Sequence, residues 1–347
     1  MEPTRVLVVD DSAFMRKMLT EIISGDSRFE VVATARNGLD GLQKIKDYHP
    51  DVVTLDVEMP VMDGITALKK IMETMPLPVV MLSSLTGRGT VKTIEAVSSG
   101  AVDFITKPSG PISLDIDRIE QEILTKVFEA ANSNISFSPI ASVASKVNTN
   151  SWHGQKKTVI GIGASTGGPR ALQQVLTSLP ANFPAPVLIV QHMPAGFTKS
   201  LADRLNSLAD IHIKEAEHGE ILQRGTAYIA PGNQHMKVIN VGTALSIELN
   251  SDIQRKGHRP SVDILFESIA DLNRVRKVAI VLTGMGSDGA EGIIRLKTSD
   301  HNSHIIAEAE QSAVVYGMPK AAVNTDHVNQ IIPMQQVGQV LTGIVNS

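Results

Sequence analysis

Short apolar runs, each followed by an amphipathic stretch, dominate the first third of the chain. They are RVLVVD then FMRKMLTEIIS, EVVATA then GLDGLQKIKD, DVVTLD then GITALKKIMET, PVVMLSS then TVKTIEAVSSG, and VDFIT then ISLDIDRIEQEILTKVFEAA. A strand that is apolar on both sides must be covered on both sides, and a helix crossing over after each strand does this in a parallel sheet. Five such units between Arg5 and about Ala130 predict a doubly wound, flavodoxin-like α/β domain over residues 1–130. Between Ala131 and Lys157 the chain turns to NSNISFSPIASVASKVNTNSWHGQKK, rich in Ser and Asn and without apolar periodicity, which predicts a flexible linker over 131–157.

From Thr158 a second α/β pattern begins, and residues 158–347 are expected to form a second domain. Strand-like TVIGIG, PVLIVQ and IHIKEAE alternate with helical GGPRALQQVLTSL and FTKSLADRLNSLA. The short runs TAYIA, MKVIN and ALSIELN then follow without helices between them and predict a hairpin-type insertion. SVDILFESIADL, KVAIVLT, GAEGIIRLKT and HIIAEA resume the alternation, so the sheet should be mostly parallel. A length of 347 residues suits two cores better than one.

Charge and composition remove several function classes. Residues before Ala131 carry 14 basic and 20 acidic side chains and the rest carry 18 and 16, so the halves stand at −6 and +2 within a net charge of −4. An acidic first half and a second half without a basic recognition helix make nucleic acid an unlikely partner and argue against a helix-turn-helix regulator. Aromatics are 3% of the chain, too few for base-stacking platforms. No uncharged apolar run approaches about 18 residues, and MEPTRVLVVDD lacks a signal-peptide pattern; the expectation is a soluble, cytoplasmic protein.

In a sheet of order 2-1-3-4-5, ligands sit beyond the carboxyl ends of strands 1 and 3. Asp10 and Asp11 end the first strand and Asp56 ends the third, so three carboxylates should converge. Such a cluster calls for a cation, and its hard oxygens suit Mg2+. Ser83, Ser84 and Lys107 end the fourth and fifth strands, placing hydroxyls and an ammonium around the carboxylates as an acyl phosphate requires. Singly, Asp11 or Ser12 reads as a helix cap and Asp56 as a solvated strand end. Together, VLVVDDS, LDVEMPVMDG, VVMLSS and AVDFITKP resemble a response-regulator receiver domain across residues 5–130. That resemblance implies Asp56 as acceptor of a phosphoryl group from a histidine kinase, Asp10, Asp11 and Asp56 as Mg2+ ligands, Lys107 as a phosphate contact, Ser83 as the switch hydroxyl and Phe104 as the switch aromatic. Asp56-Val57-Glu58 lacks the Asp-x-Asp pair of the aspartyl-phosphate phosphatases.

The second domain must draw its chemistry from residues other than cysteine, since the chain has none. VIGIGASTGGPRALQQVL places Ser165 between a buried strand and a helix, with Gly163 and Gly167 completing a G-x-S-x-G pattern whose glycines allow a strained turn that exposes the hydroxyl. A serine there also reads as an N-cap, and GIGASTGG as a phosphate cradle; the latter lacks full G-x-G-x-x-G spacing. A serine nucleophile needs a base. His192 follows PVLIVQ, and Asp288 follows VAIVLT within GMGSDGAEG, both at the carboxyl ends of candidate parallel strands. Alone, His192 reads as a loop-bonding strand-end histidine and Asp288 as a helix cap. The order Ser, His, Asp differs from that of the α/β-hydrolases.

GASTGGP, QHMP, YIAPGNQHM, GHRPSVD and LTGMGSDG resemble the catalytic domain of the chemotaxis protein-glutamate methylesterases, the CheB family, whose architecture is a receiver joined by a linker to this domain. The resemblance implies Ser165 as nucleophile, His192 as general base then acid, Asp288 as the carboxylate orienting His192, and amides near Thr166 and Met285 as the oxyanion hole. It also implies chemoreceptor glutamyl esters as substrate, glutamine deamidation as a second activity, no metal for hydrolysis, and a place peripheral to receptor arrays. In GHRPSVD, His258 and Arg259 read either as contacts to acidic receptor side chains or as a solvated approach to a helix begun by Pro260 and Ser261. His301 and His304 have H-x-x-H spacing without a carboxylate partner and read as a solvated loop rather than zinc ligands; Tyr316-Gly317-Met318-Pro319 reads as packing.

Overall fold

The computed structural model describes residues 2–84, 87–107, 116–133 and 157–346. The chain divides into two compact units, Met1–Ile135 and Ser136–Ser347. Residues 134–156 of the expected linker lie outside the described residues.

The first unit comprises β1 (Thr4–Val9), α1 (Ala13–Ser24), β2 (Phe29–Ala35), α2 (Gly38–Tyr48), β3 (Val52–Asp56), α3 (Gly64–Thr74), β4 (Val79–Ser83), α4 (Gly87–Ser98), β5 (Asp103–Thr106) and α5 (Ile116–Ala131). Its sheet runs β2-β1-β3-β4-β5, with every pairing parallel. β3 and β4 are buried at every residue, as their uninterrupted apolar sequences require. Helix starts follow local chemistry: the side chains of Ser12, Asn37 and Asp63 each accept a hydrogen bond from a first-turn amide. Gly64 must be glycine for a different reason, since a Cβ there would lie 2.0 Å from the Asp56 carbonyl oxygen.

The second unit comprises β6 (Lys157–Ala164), α6 (Gly168–Leu176), β7 (Val187–Gln191), α7 (Phe197–Asn206), β8 (His212–Glu215), β9 (Thr226–Ile229), β10 (His235–Val241), β11 (Ala244–Asn250), α8 (Val262–Ala270), β12 (Val275–Val281), α9 (Ala290–Ser299), β13 (His304–Glu308), α10 (Met318–Val323), β14 (Gln330–Ile332) and α11 (Met334–Asn346). Seven strands form one parallel sheet, β14-β13-β12-β6-β7-β9-β8, and β10 and β11 form a separate antiparallel hairpin. TAYIA is therefore not part of the insertion: it is β9, hydrogen-bonded between β7 and β8, and only MKVIN and ALSIELN pair as a hairpin. The final strand and helix went unforeseen, although Val337, Leu341 and Val345 bury one face of α11 at helical spacing. Within α11, Gly338 lets the end of α6 approach, because a Cβ there would lie 1.8 Å from Ser178 Oγ, just past that helix, and 3.2 Å from the Val175 carbonyl oxygen within it.

One central contact positions the functional residues. α8 lies across β6, and at Gly163 a Cβ would lie 2.3 Å from Val262 Cγ1. Both residues are fully interior, so neither side can give way without moving the helix or strand. Replacing Gly163→Ala should destabilise the second unit by about 1–3 kcal/mol through overpacking, a loss that urea unfolding followed by circular dichroism would detect; an unchanged midpoint would refute the close approach.

Candidate active site

The first unit gathers its acids where the topology requires. Candidate ligand oxygens of Asp10, Asp11 and Asp56 lie within 4.8 Å of one another. Lys107 reaches in from the end of β5, with Nζ 2.8 Å from Asp10 Oδ2 and 2.8 Å from Asp56 Oδ2. Asp56 is only 4% exposed, so it is no solvated strand end. Burial, together with the Asp10 charge, pushes its carboxyl up to about 6 despite Lys107. One ammonium against three carboxylates leaves the cluster short of positive charge, and this all-oxygen donor set fits a hard divalent cation. Asp11 stays exposed and does not cap α1, a role that falls to Ser12. Ser83 is buried, and its hydroxyl donates to the Ser84 carbonyl and accepts from Thr93. Phe104 is buried too, with Lys126 Nζ 5.0 Å from its ring centroid.

In the second unit, β6 is flanked by β12 and β7, so Ser165, His192 and Asp288 follow three adjacent strands. Ser165 is not a helix cap. Its carbonyl accepts from the Gly168 amide at 2.7 Å in a turn whose third residue, Gly167, has φ +77°. That geometry favours glycine, whereas Ser165 itself has no positive φ. The positive φ therefore falls on Gly167, where it costs no strain, and not on the serine. The turn is held from several sides: the Ser165 amide donates to the Thr283 carbonyl at 3.0 Å. Thr283 Oγ1 donates to the Thr166 carbonyl at 2.9 Å, and Gln191 Nε2 donates to the Ser165 carbonyl at 2.9 Å.

His192 Nε2 lies 2.8 Å from Asp288 Oδ2. With Nε2 donating to the carboxylate, Nδ1 carries the lone pair, and no protein group bonds it. Asp288 does not cap its own helix, whose N-cap is Gly289 and which has no side-chain cap. It sits instead at the N-terminus of α8, accepting from the Val262 amide at 2.7 Å, the Asp263 amide at 2.9 Å and Ser261 Oγ at 2.9 Å. Burial alone would raise the Asp288 carboxyl, but the His192 bond and the α8 amides hold it well below the usual carboxylate range.

The loop after β12 closes over Ser165. A Cβ on Gly284 would lie 2.7 Å from Ser165 Cβ, and the Gly284 carbonyl accepts from the Gly317 and Met318 amides. The Tyr316–Pro319 segment thus braces the loop bearing Met285, which is 45% exposed, whereas Thr166 is buried. GHRPSVD divides three ways: Ser261 caps α8, Arg259 is engaged by Asn233 and the carbonyls of Ser251 and Asp252, and His258 stacks on His192. The helix does begin at Ser261, but the basic pair before it is engaged within the fold rather than solvated. His304 opens β13, with Nε2 buried, so it is no solvated loop. Sequence reasoning missed Gln191, Thr283 and Glu308, each of which bonds across 25 to 117 residues to hold the serine turn. Only the adjacency of Gln191 to QHMP offered a signal.

A phosphoacceptor-type acidic pocket in one unit and a strand-end serine with an aspartate-bonded histidine in the other define a receiver-coupled hydrolase. The family model of the CheB methylesterase matches residues 160–341, and that of the response regulator receiver domain matches residues 6–117. A protein-glutamate methylesterase/protein-glutamine glutaminase of Halalkalibacterium halodurans is 53% identical over 335 residues, 96% of either chain. Its counterpart in Bacillus subtilis is 46% identical over 351 residues, 98% of either chain. The crystal structure of the Thermotoga maritima CheB methylesterase catalytic domain superposes with a TM-score of 0.52 at 37% identity, covering 55% of this chain and 100% of that one. The chain belongs to the CheB methylesterase family. Among the described residues, no helix is long and apolar enough to cross a membrane.

Glu308 supplies a test of the scaffold under Ser165. It ends β13, accepts from the Thr283 amide at 2.7 Å and from Ser312 Oγ at 2.9 Å, and burial pushes its carboxyl up to about 7 despite these bonds. As pH rises, the unfolded chain releases this proton near its ordinary value of 4.5 while the folded chain keeps it to about 7, so stability falls across that window. Glu308→Gln can keep both bonds without titrating. Urea unfolding at pH 4.5 and 7.5 should show roughly 3 kcal/mol less pH-dependent loss in the variant; an identical pH dependence would remove Glu308 as the source.

Proposed function

We propose that this protein removes methyl groups from glutamyl γ-esters of methyl-accepting chemoreceptors, and deamidates receptor glutamines, by a Ser165–His192–Asp288 mechanism governed by phosphorylation at Asp56. The observation that carries the reading is the His192 imidazole, with one nitrogen committed to Asp288 and the other unpartnered, on the strand end next to Ser165. In this mechanism Ser165 Oγ attacks the ester carbonyl as its proton passes to His192 Nδ1. Asp288 steadies the resulting imidazolium without taking its proton. The amides near Thr166 and Met285 meet the developing oxyanion. His192 returns the proton to the departing methanol, and water then cleaves the acyl-enzyme by the same route. Hydrolysis of a γ-amide differs only in releasing ammonia. Support for a glutamyl ester and a glutamine as substrates comes from the names of relatives that match nearly the whole chain.

Asp10, Asp11 and Asp56 would hold Mg2+, which supplies charge neutralisation for the incoming phosphoryl group. Lys107 would contact the phosphate, the phosphodonor being the histidine kinase of the chemotaxis system. Ser83 would turn from Thr93 toward the phosphoryl oxygens, and Phe104 would follow as the switch aromatic. Phosphorylation would shift the population toward an active state, placing this enzyme in sensory adaptation at the periphery of receptor arrays in the cytoplasm.

Ser165→Ala should lower methanol release from methylated receptor membranes by at least about 1,000-fold while Asp56 is still labelled by a small acyl phosphate; retained release would sink the nucleophile assignment. Chelation of divalent cations should abolish that labelling and leave the unphosphorylated basal esterase rate unchanged. Deleting residues 1–150 should raise basal methanol release. Loss of activity on deletion would make the receiver an activator in its own right and exclude simple inhibition.

A further inference from the structure

His258 has no role in the mechanism above, yet its ring lies flat on that of His192, with centroids 3.8 Å apart and planes 6° from parallel. A histidine ring has a broad preference about its outer torsion. The bond from Nε2 to Asp288 fixes one point of the His192 ring but leaves the ring free to pivot about that bond. A pivot would change the direction in which the unpartnered Nδ1 presents its lone pair. A flat partner in van der Waals contact with one face blocks the pivot and keeps water off that face.

The chain spends several interactions on holding this second ring. His258 closes a tight turn in which its amide donates to the Arg255 carbonyl at 2.8 Å and the Arg255 amide donates back at 3.1 Å. The two residues between take φ +50° at Lys256 and +83° at Gly257. Lys256 Nζ anchors the turn to Asp263 Oδ2 at 2.9 Å and to Glu291 at 3.1 Å, and Arg255 pairs with Glu291 at 2.6 Å and Glu267 at 3.1 Å. The anchor lies on the two helices whose N-termini frame Asp288. Burial pushes the His258 imidazole down to about 4, helped by repulsion from His192 and Lys256 and opposed by Asp288. The stacked ring is thus neutral near pH 7 and adds no like charge as an imidazolium forms on His192.

We propose that His258 is a positioning residue for acyl transfer: its ring holds the His192 imidazole in the one plane that joins Asp288 to the nucleophile. This rests on the esterase reading given above. Positioning the base matters to the transition state more than to substrate binding, so the effect should fall on kcat.

The test uses the full-length phosphorylated chain and methanol release from methylated receptor membranes. His258→Ala should lower kcat about 10- to 100-fold with KM within about 2-fold of wild type. His258→Phe, which restores a flat ring without a titratable nitrogen, should recover kcat to within about 5-fold of wild type. His258→Gln, polar but not flat, should stay near the alanine value. In proton NMR, the downfield resonance of the His192 Nε2–H bonded to Asp288 should broaden in His258→Ala and remain sharp in His258→Phe. Wild-type kcat in His258→Ala overturns the proposal, and so does glutamine exceeding phenylalanine, which would assign a hydrogen-bonding role instead. If the alanine variant does not fold, the phenylalanine and glutamine variants decide alone. Ser165→Ala is run in parallel: turnover by that variant refutes the esterase mechanism, whereas its inactivity beside a fully active His258→Ala refutes only the stacking role.

Discussion

The catalytic unit depends on two carboxylates exchanged between two helices. Asp288, just before α9, accepts from Ser261, Val262 and Asp263 at the start of α8, and Asp263 accepts from the Gly289 and Gly292 amides at the start of α9 at 2.8 Å each. A helix start carries unsatisfied N–H groups and a positive potential. Each helix here receives its compensating anion from the other. The exchange fixes where α8 and α9 begin, and hence where the loop after β12 and the 255–261 segment must run. Asp288 can therefore be buried and still ionised, because its charge is met by fixed dipoles rather than by water, and the direction of its oxygens is set before any substrate arrives.

The two units treat clustered acids in opposite ways. Asp288 has its oxygens saturated by four donors, so it has nothing left to offer a metal. The first unit crowds Asp10, Asp11 and Asp56 together, with Lys107 bridging two of them. Burial raises Asp56, whereas the helix amides and His192 lower Asp288. One arrangement is under-compensated and invites a cation and a transferable group. The other is fully compensated and can only orient a neighbour. Both follow the carboxyl ends of parallel strands, so the difference between Asp56 and Asp288 comes from local donors and not from fold.

Much of this was legible because two periodicities carry it. Buried strands read as continuous apolar runs, helices as stripes, and the polar residue ending each strand lands on one edge of the sheet; this is how Asp56, Ser165, His192 and Asp288 stood out. Contacts between distant segments left no such mark. TAYIA looked like its hairpin neighbours because a short strand's own sequence does not say whether its partner is adjacent in the chain or, like β7, some 40 residues away. The place of His258 stayed open because its partner lies across the fold, and Glu308 went unnoticed because nothing local reveals the Thr283 amide that it meets. In the serine turn, the G-x-S-x-G spacing marks a bend that its glycines permit, and Gly167 is the residue that takes the positive φ.

The placement of Ser165 follows from the same geometry. With its own backbone unstrained, Ser165 owes its placement to bonds from beneath, from its amide to Thr283 and from Gln191 to its carbonyl, and to the missing side chain of Gly284. Thr283 is in turn fixed by Glu308, through its amide, and by Val315, whose amide donates to Thr283 Oγ1 at 2.9 Å. Such a turn stores little strain but needs strands β6, β7, β12 and β13 in register. The chain order Ser, His, Asp follows from that need. β6 enters the sheet first at its centre, β7 is laid on one side, and β12 returns to the other side after the hairpin and α8, so the carboxylate can only arrive last, from across the serine. The same three side chains reached in another order would require a different winding of the sheet, so the order Ser165, His192, Asp288 belongs to this fold.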